Sequence, residues 1–491
     1  MRGFLKNMLA KNNLLSGLMV ILFLGAIVVA FWEVLPLNVF FLAPDAPLTP
    51  ITFREACTQL ATPAPALLNG VRLLPFGFAY EGSFWVDMAV ICGAALFLLR
   101  GLRLSWGAAW VGGFAAAFTG YFATLFCAGH RGVVDAIAVT CIAFGLVQRA
   151  ITRGQWRWWI ALGFVLPLGL AAQADIWLIM MMGVCAYGLM LSVQRCRVTS
   201  LRGTVKDLLP KIAIALICFG LAGIPALRHT FGAAQETRSA QLAQATAATA
   251  SSVTDRQAKW QFTTDWSLPP EDSIEFLVPG ARGYTSYQFD PHPYKGRMGS
   301  AHQVLRQHSV HLGWFTLLLA VLAFCLNPTK ETRTERLFWA FLAGVSVLLA
   351  FGKYTPLYQV VWELPCINQI RAPVKWLHLT GFACAVLAGF GAEALTKRFG
   401  NSVALICCVV IAATGVAVIR PFVFPIRFPT TAALRALPPQ TRIYAAPTYH
   451  DFIRAQGHLP IQTPYQVEAA LVLKPAERGF VLTLIRPEAR R

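Results

Sequence analysis

The stretch GKYTPLYQVVWELPCINQIRAPVKWLHLTGFACAVLAGFGAEAL, Gly352–Leu395, decides how this chain is read. Its second half, Trp376–Leu395, is apolar and about 20 residues long, enough to cross a hydrocarbon core. Its first half is a proline-punctuated loop that sets Lys353, Arg371 and Lys375 beside the start of that helix. A cationic loop on the edge of a spanning helix suits a phosphate or a lipid headgroup. It equally suits interfacial anchoring by Tyr354, Tyr358 and Trp376, with the cations snorkelling to headgroups.

Working outward, the 491 residues are 56% hydrophobic and only 13% charged, against about 25% charged in a soluble domain. The mean hydropathy of +0.56 agrees. These values describe a polytopic membrane protein. The net charge of +19 does not argue for nucleic acid, because the cations are spread over loops and form no basic tract or recognition motif. The twelve cysteines show no CxxC spacing and mostly sit in apolar runs, where they act as small hydrophobes. A Cys57–Cys366 disulfide is the one pairing that both loops leave open.

Eleven apolar runs predict eleven spanning helices: 14–31, 84–99, 107–126, 133–147, 158–172, 176–193, 212–226, 312–326, 338–351, 376–395 and 403–419. The short loops between them alternate in charge. Arg100 and Arg103 share one, Arg149, Arg153 and Arg157 another, and Arg195 to Lys211 a third, while the intervening turns hold only Arg131. By the positive-inside rule the N-terminus faces the cytoplasm and the C-terminus lies outside. Residues 1–419 then form one polytopic domain with outer loops 32–83, 227–311 and 352–375. Residues 420–491 form a small outer tail with β-like runs such as Phe480–Ile485. Thr49-Pro50 reads as the start of a short helix over 51–60, and Ser239–Ser252 as a mobile helix or disorder.

Ionisable residues at the outer helix ends are the candidates for chemistry, since charge near the bilayer is costly and usually serves a cavity. Asp45 in FLAPDAPLTP is either a general base or metal ligand, or a turn residue beside Pro44. His130 and Arg131, in the turn before Asp135, suit a phosphate or a capped helical start. Gln173 and Asp175 form another outer turn, with Asp175 favoured as the N-cap of the next helix. Asp87 is close enough to a helix end to be solvated. Glu275 opens EFLVPGARGYTSYQFDPHPYKGRMG, where Tyr284 and neighbouring cations suit a sugar or an anion, or a packed lid. Arg371 is a fixed positive fork suited to phosphate, and Lys375 a point charge. The histidines lack tight metal-ligand spacing. No P-loop, GxSxG, HExxH or Rossmann glycine signature is present.

Taken together, these motifs resemble those of YfhO-like bacterial membrane proteins. The Gly352–Leu395 stretch is similar to that family's late motif through Gly352, Thr355, Pro356, Leu357, Tyr358, Leu364, Pro365, Asn368, Arg371, Pro373 and Gly389. AGHRGVVDAIAVTCIAFGLVQRAI, EFLVPGARGY and FFLAPDAPLTP are similar to its earlier segments. AAQADIW departs from its usual turn. The family is similar in turn to the GT-C glycosyltransferases. The resemblance implies an all-α, GT-C-like bundle in the bacterial inner (cytoplasmic) membrane. It also implies transfer of a sugar from a polyprenyl-phosphate donor to a glycan, lipid or protein acceptor on the outer face. In that scheme Asp45 is catalytic, a divalent metal such as Mg or Mn is optional, and no nucleic acid takes part. Arg371, Lys375, His130, Arg131, Lys353, Glu275 and Tyr284 bind substrate. A transporter or flippase, and a non-catalytic binder of lipid-linked glycans, remain the rival readings.

Overall fold

A computed structural model of the chain describes residues 2–32, 39–41, 84–127, 131–248, 255–281, 309–326, 330–364, 367–422, 425–427, 437–444, 459–461, 469–475 and 480–485. The helical fold class holds for the bundle, and the expected apolar runs fall on helices, with 107–126 divided between two of them. The helices are α1 (Arg2–Ala30), α2 (Phe84–Gly101), α3 (Trp106–Ala117), α4 (Gly120–Cys127), α5 (Arg131–Arg153), α6 (Trp156–Ala172) and α7 (Ala174–Val198). They continue with α8 (Leu201–Ala248), α9 (Asp255–Thr264), α10 (Trp314–Cys325), α11 (Lys330–Ala350), α12 (Pro356–Trp362), α13 (Leu377–Phe399) and α14 (Ser402–Ile419). Among the described residues six helical stretches are long and apolar enough to cross a membrane, and three shorter apolar helices accompany them. This is a multi-pass arrangement.

The second half of the opening stretch is the central helix. Every residue of α13 from Leu377 to Ala392 is buried. Its small residues let neighbours approach to backbone contact, the usual device where lipid supplies no hydrophobic drive between helices. Gly391 is the tightest case, since a Cβ there would lie 1.9 Å from the Leu319 carbonyl oxygen of α10. An aromatic cluster fills the space between α5, α7, α11 and α13. Trp339 sits 5.2 Å from Phe144 and 5.1 Å from Tyr187, and Phe144 lies 5.5 Å from Phe382. The outer surfaces of α1, α8 and α14 expose large apolar side chains such as Ile21, Leu221 and Ile406, as lipid-facing helices do.

One span is broken. Between α3 and α4 the chain loses its helical ladder at Phe118 and Thr119, and the freed Tyr121 N–H donates instead to the His311 carbonyl at 3.2 Å. Interrupted helices are tolerated at membrane depth when other protein groups satisfy the backbone in this way. α8 is 48 residues long, roughly 70 Å at 1.5 Å per residue. It therefore runs far beyond one bilayer crossing, and of Ser239–Ser252, read as a mobile helix or disorder, residues up to Ala248 continue it as helix.

The region after α14 forms a small sheet with strands β2 (Pro425–Arg427), β3 (Arg442–Tyr444), β4 (Leu459–Ile461), β5 (Ala469–Pro475) and β6 (Phe480–Ile485). β1 (Val39–Phe41), from the first long loop, joins its edge, in the order β1-β2-β6-β5-β3-β4. β5 and β6 pair antiparallel from Ala470↔Ile485 to Pro475↔Phe480, which places the β-like run 480–485 in a hairpin. The tail is therefore tied to the first loop, through Val39↔Arg427. The expected helix over 51–60 and the Cys57–Cys366 pairing lie outside the described residues.

Candidate functional site

The bundle has two ends. Short arginine-rich turns mark one, here called the basic face. The starts of α2, α5, α7 and α13 mark the other, the loop face, and the candidate site lies there.

The first half of the opening stretch and the residue that leads into it are welded onto the end of α9 and the segment after it by main-chain bonds. Leu268 N–H donates to Ala350 O at 2.9 Å, Ala372 N–H to Thr263 O at 3.0 Å and Val374 N–H to Trp266 O at 3.1 Å. The Lys353 N–H donates to Ser267 Oγ at 3.0 Å and the Trp362 indole N–H to Thr263 Oγ1 at 2.9 Å. Two backbone features make this fit. Gly352 has φ +50, and a Cβ on it would lie 2.1 Å from Ser267 Oγ and 2.7 Å from Pro373 Cγ. Ala372 adopts φ 70, a strained choice for a residue with a side chain. Lys353, Arg371 and Lys375 thus gather around Pro373.

Their charges have different fates. Lys375 donates to Asp175 Oδ2 across 200 positions of sequence. The Asp175 carboxylate also accepts from the Gln173 amide at 3.0 Å and from the Ile176 N–H at 2.8 Å. The favoured reading of Asp175 as an N-cap is corrected. Gln173 holds that place, with no side-chain cap, and Asp175 sits in the first turn of α7. Lys375 is consequently engaged by protein. Arg371 differs: its guanidinium lies 4.5 Å over the Phe262 ring, its Nε is buried, and no carboxylate among the described residues pairs with it. Lys353 is exposed, with its ammonium 5.5 Å from the Tyr354 ring.

Three of the groups singled out in the sequence meet here. A Cβ on Gly132 would lie 2.6 Å from Ala172 O and 3.4 Å from Gln173 Oε1, so the start of α5 abuts the Gln173–Asp175 turn and, through it, Lys375. Tyr121 donates its hydroxyl to Val374 O at 3.1 Å and stacks on His378 at 4.8 Å. Asp135 is buried one turn into α5, and Asp87 one turn into α2. The expected solvation of Asp87 fails, since the residue is 3% exposed. Glu275 lies near the end of the 3-10 turn Pro270–Phe276 and is buried, so its carboxylate faces protein. Its carbonyl oxygen lies 3.2 Å from His311 Nδ1, and burial lowers the pKa of that imidazole despite this contact. Asp45, His130 and Tyr284 lie outside the described residues, as does the side chain of Arg131. Among the described residues no group of three or more histidine, cysteine or carboxylate ligands gathers that could hold a metal.

One feature of the loop face escaped the sequence. A recess of about 350 Å³ is lined by Arg256, Gln257 and Trp260 of α9, by Gln359 and Trp362 of α12, and by Glu363. The two indoles meet edge to face at 5.2 Å, and Arg256 pairs with Glu363 at 2.5 Å across the helices. Aromatic faces beside amides and a charged pair can stack on a sugar ring and hydrogen-bond its hydroxyls. The only signal in the sequence was tryptophan and glutamine at helical spacing, with 99 positions between Trp362 and its partner Thr263.

No protein-family model matches this chain, and no curated protein matches it either.

Proposed function

We propose that the chain is a membrane glycosyltransferase of GT-C-like architecture, YfhO-like in its late motif, in the bacterial cytoplasmic membrane. About eleven spans place its loop face outside, where it draws on a polyprenyl-phosphate-linked sugar. The observation that carries this reading is the pair of features flanking α9. Arg371, stacked on Phe262 and without a carboxylate partner among the described residues, suits the donor phosphate. The Trp260–Trp362 recess suits a glycan acceptor.

In the proposed step the acceptor oxygen bonds to the anomeric carbon as the bond from that carbon to the phosphate oxygen breaks. The electron pair leaves on the polyprenyl phosphate, where Arg371 stabilises the developing charge. Asp45 takes the acceptor proton. Lys375 positions the loop through Asp175 and does not bind phosphate directly.

The test uses membranes holding the full chain and a radiolabelled polyprenyl-phosphate sugar. Arg371→Ala and Asp45→Asn each lower transfer by roughly 10²-fold or more, and Arg371→Lys recovers little because the planar fork is lost. Trp260→Ala weakens acceptor use more than turnover. Wild-type transfer in Arg371→Ala removes this mechanism. Donor binding without turnover, insensitive to Asp45→Asn, would make the chain a binder of lipid-linked glycans.

A further inference from the structure

The basic face holds a feature that glycosyl transfer at the loop face does not use. Between the last turns of α2, α5, α10 and α13 and the first turns of α11 opens a cleft of about 1170 Å³. That is at the upper end of, or beyond, the roughly 300–1,000 Å³ of ordinary ligand pockets. Arg100, Arg103, Arg153, Arg336, Lys397 and Arg398 line it, against two carboxylates.

One carboxylate is already occupied and the other is buried. Glu393 accepts from the Ser105 N–H at 2.8 Å and pairs with Lys397 at 3.2 Å. Glu335 is buried, and its Oε2 has no hydrogen-bond partner among the described residues. Arg103, Arg153 and Arg398 therefore have no carboxylate partner among the described residues. Elsewhere on this face the pattern is the opposite, for Arg195 and Lys211 converge on Asp207 at 2.7 and 2.6 Å. Cations at helix C-termini are ordinarily explained by the helix dipole and by anionic lipid at the surface. Here the same cations line a cleft, which can enclose an anion as well as meet one at the surface.

Two details point inward. Gln148 donates its amide to Gly101 O at 2.9 Å, which leaves Oε1 buried with no donor among the described residues. Arg336 is buried and pinned by the carbonyls of Ala323 and Thr332, so its guanidinium is fixed in place.

A third detail concerns the backbone. α2 closes with Leu104 N–H on Leu99 O and Arg103 N–H on Arg100 O, both at 3.2 Å, and with Arg103 at φ 64. This is the Schellman ending, in which glycine is the ordinary residue. The ends of α5 and α13, which flank the same cleft, do use glycine, Gly154 at φ 65 and Gly400 at φ 88. An arginine in strained backbone at the mouth of a cleft is an outlier from which a function can be inferred.

We propose that this cleft binds a phosphate-bearing polyol. Arg103, Arg153 and Arg398 take the phosphate, and Gln148 Oε1 accepts from a hydroxyl. An anionic glycerophospholipid headgroup and a soluble polyol phosphate share this chemistry. The site is independent of the glycosyl-transfer reading and stands or falls separately from it.

The full chain is tested in two arms. In the first, phosphatidylglycerol retained after detergent extraction is counted by native mass spectrometry. In the second, the delipidated chain is titrated with glycerol 3-phosphate and its melting followed. Retention in the first arm alone assigns the lipid source, and a melting shift in the second assigns the soluble one. Either result supports the site if Arg103→Gly with Arg153→Gln and Arg398→Gln weakens it by roughly tenfold or more, while Lys206→Gln, on the exposed start of α8, does not. Arg103→Gly alone weakens binding without lowering the melting temperature of the unliganded chain, an outcome that a purely structural role cannot give. The proposal is overturned if wild type binds neither probe, if the triple variant binds like wild type, or if Lys206→Gln weakens binding as much as the triple variant.

Discussion

The loop face and the basic face are built from the same materials: helix ends, arginines, lysines and aromatic rings. They differ in what the charges meet. On the loop face the chain closes over its own cations. Lys375 is taken by Asp175, and the loop carrying it is hydrogen-bonded residue by residue to the segment 263–268. Arg371, on its aromatic ring, and the exposed Lys353 are exceptions. On the basic face the helices leave a cleft whose arginines outnumber its carboxylates. A cation's place on the topology therefore says little about its availability, and the groups that reach it from elsewhere in the chain decide. Helix order alone cannot separate a spent charge from an available one.

The strongest way to break this contrast is to unweld the loop face. Gly352→Ala forces a side chain into positive-φ backbone and against Ser267 and Pro373. The expected loss is about 2–4 kcal/mol, combining left-handed strain with overpacking. Hydrogen exchange at Leu268, Ala372 and Val374 reads it, and unchanged protection there would show that the loop is held by something other than this seam. The Lys375–Asp175 pair comes next. Both side chains are less than one quarter exposed, so Lys375→Met, which strands the carboxylate, should cost about 2–3 kcal/mol. Adding Asp175→Asn should return much of that loss. A double-mutant cycle with no coupling would mean that Lys375 is available to substrate after all.

These two sites also show where the sequence stops being legible. The helices could be read because apolar runs of spanning length have few other fates. The centrality of α13 was foreshadowed by its run of small residues, which allow close approach on several sides. The Lys375–Asp175 bond could not be read, because each residue had a sufficient local explanation, as anchor and as cap. The Trp260–Trp362 recess depends on α9 and α12 coming together, and neither helix carries a signature of the other. Arg103 looked like one more loop cation, because sequence shows a charge and not a φ angle. The count of eleven spans is a different matter. Among the described residues six helical stretches are long and apolar enough to span, and other expected runs form helices that are shorter.

A smaller effect sharpens the comparison by pH. His311 joins the 309–312 segment to Glu275, and burial lowers its pKa, so the folded chain favours the neutral ring. The unfolded chain has an ordinary imidazole value near 6.5. The stability linked to His311 is thus complete above that value and is lost as the pH falls from it toward the depressed folded pKa. Exchange at the Leu312 amide, corrected for intrinsic rates, should rise between pH 7.5 and 5.5, and His311→Gln should flatten that rise. The basic face has no buried imidazole among the described residues, so protection at Leu104 should not follow the same curve.

The smallest expected change has the opposite sign. Arg103→Gly removes a charge and places the residue suited to positive φ at the end of α2, where the Leu104 and Arg103 N–H bonds already define the turn. Relief of left-handed strain is worth about 1 kcal/mol, offset by a few tenths for the larger unfolded-state entropy of glycine. The variant should therefore be as stable as the parent or more stable, by up to about 1 kcal/mol, in reversible denaturation from mixed micelles. A loss of stability would mean that the Arg103 side chain holds the fold together, and the contrast between a closed loop face and an open basic face would fail at its clearest residue. A gain would mean that the chain keeps an arginine there at the expense of its own backbone, as expected where the charge serves a ligand and not the helix end.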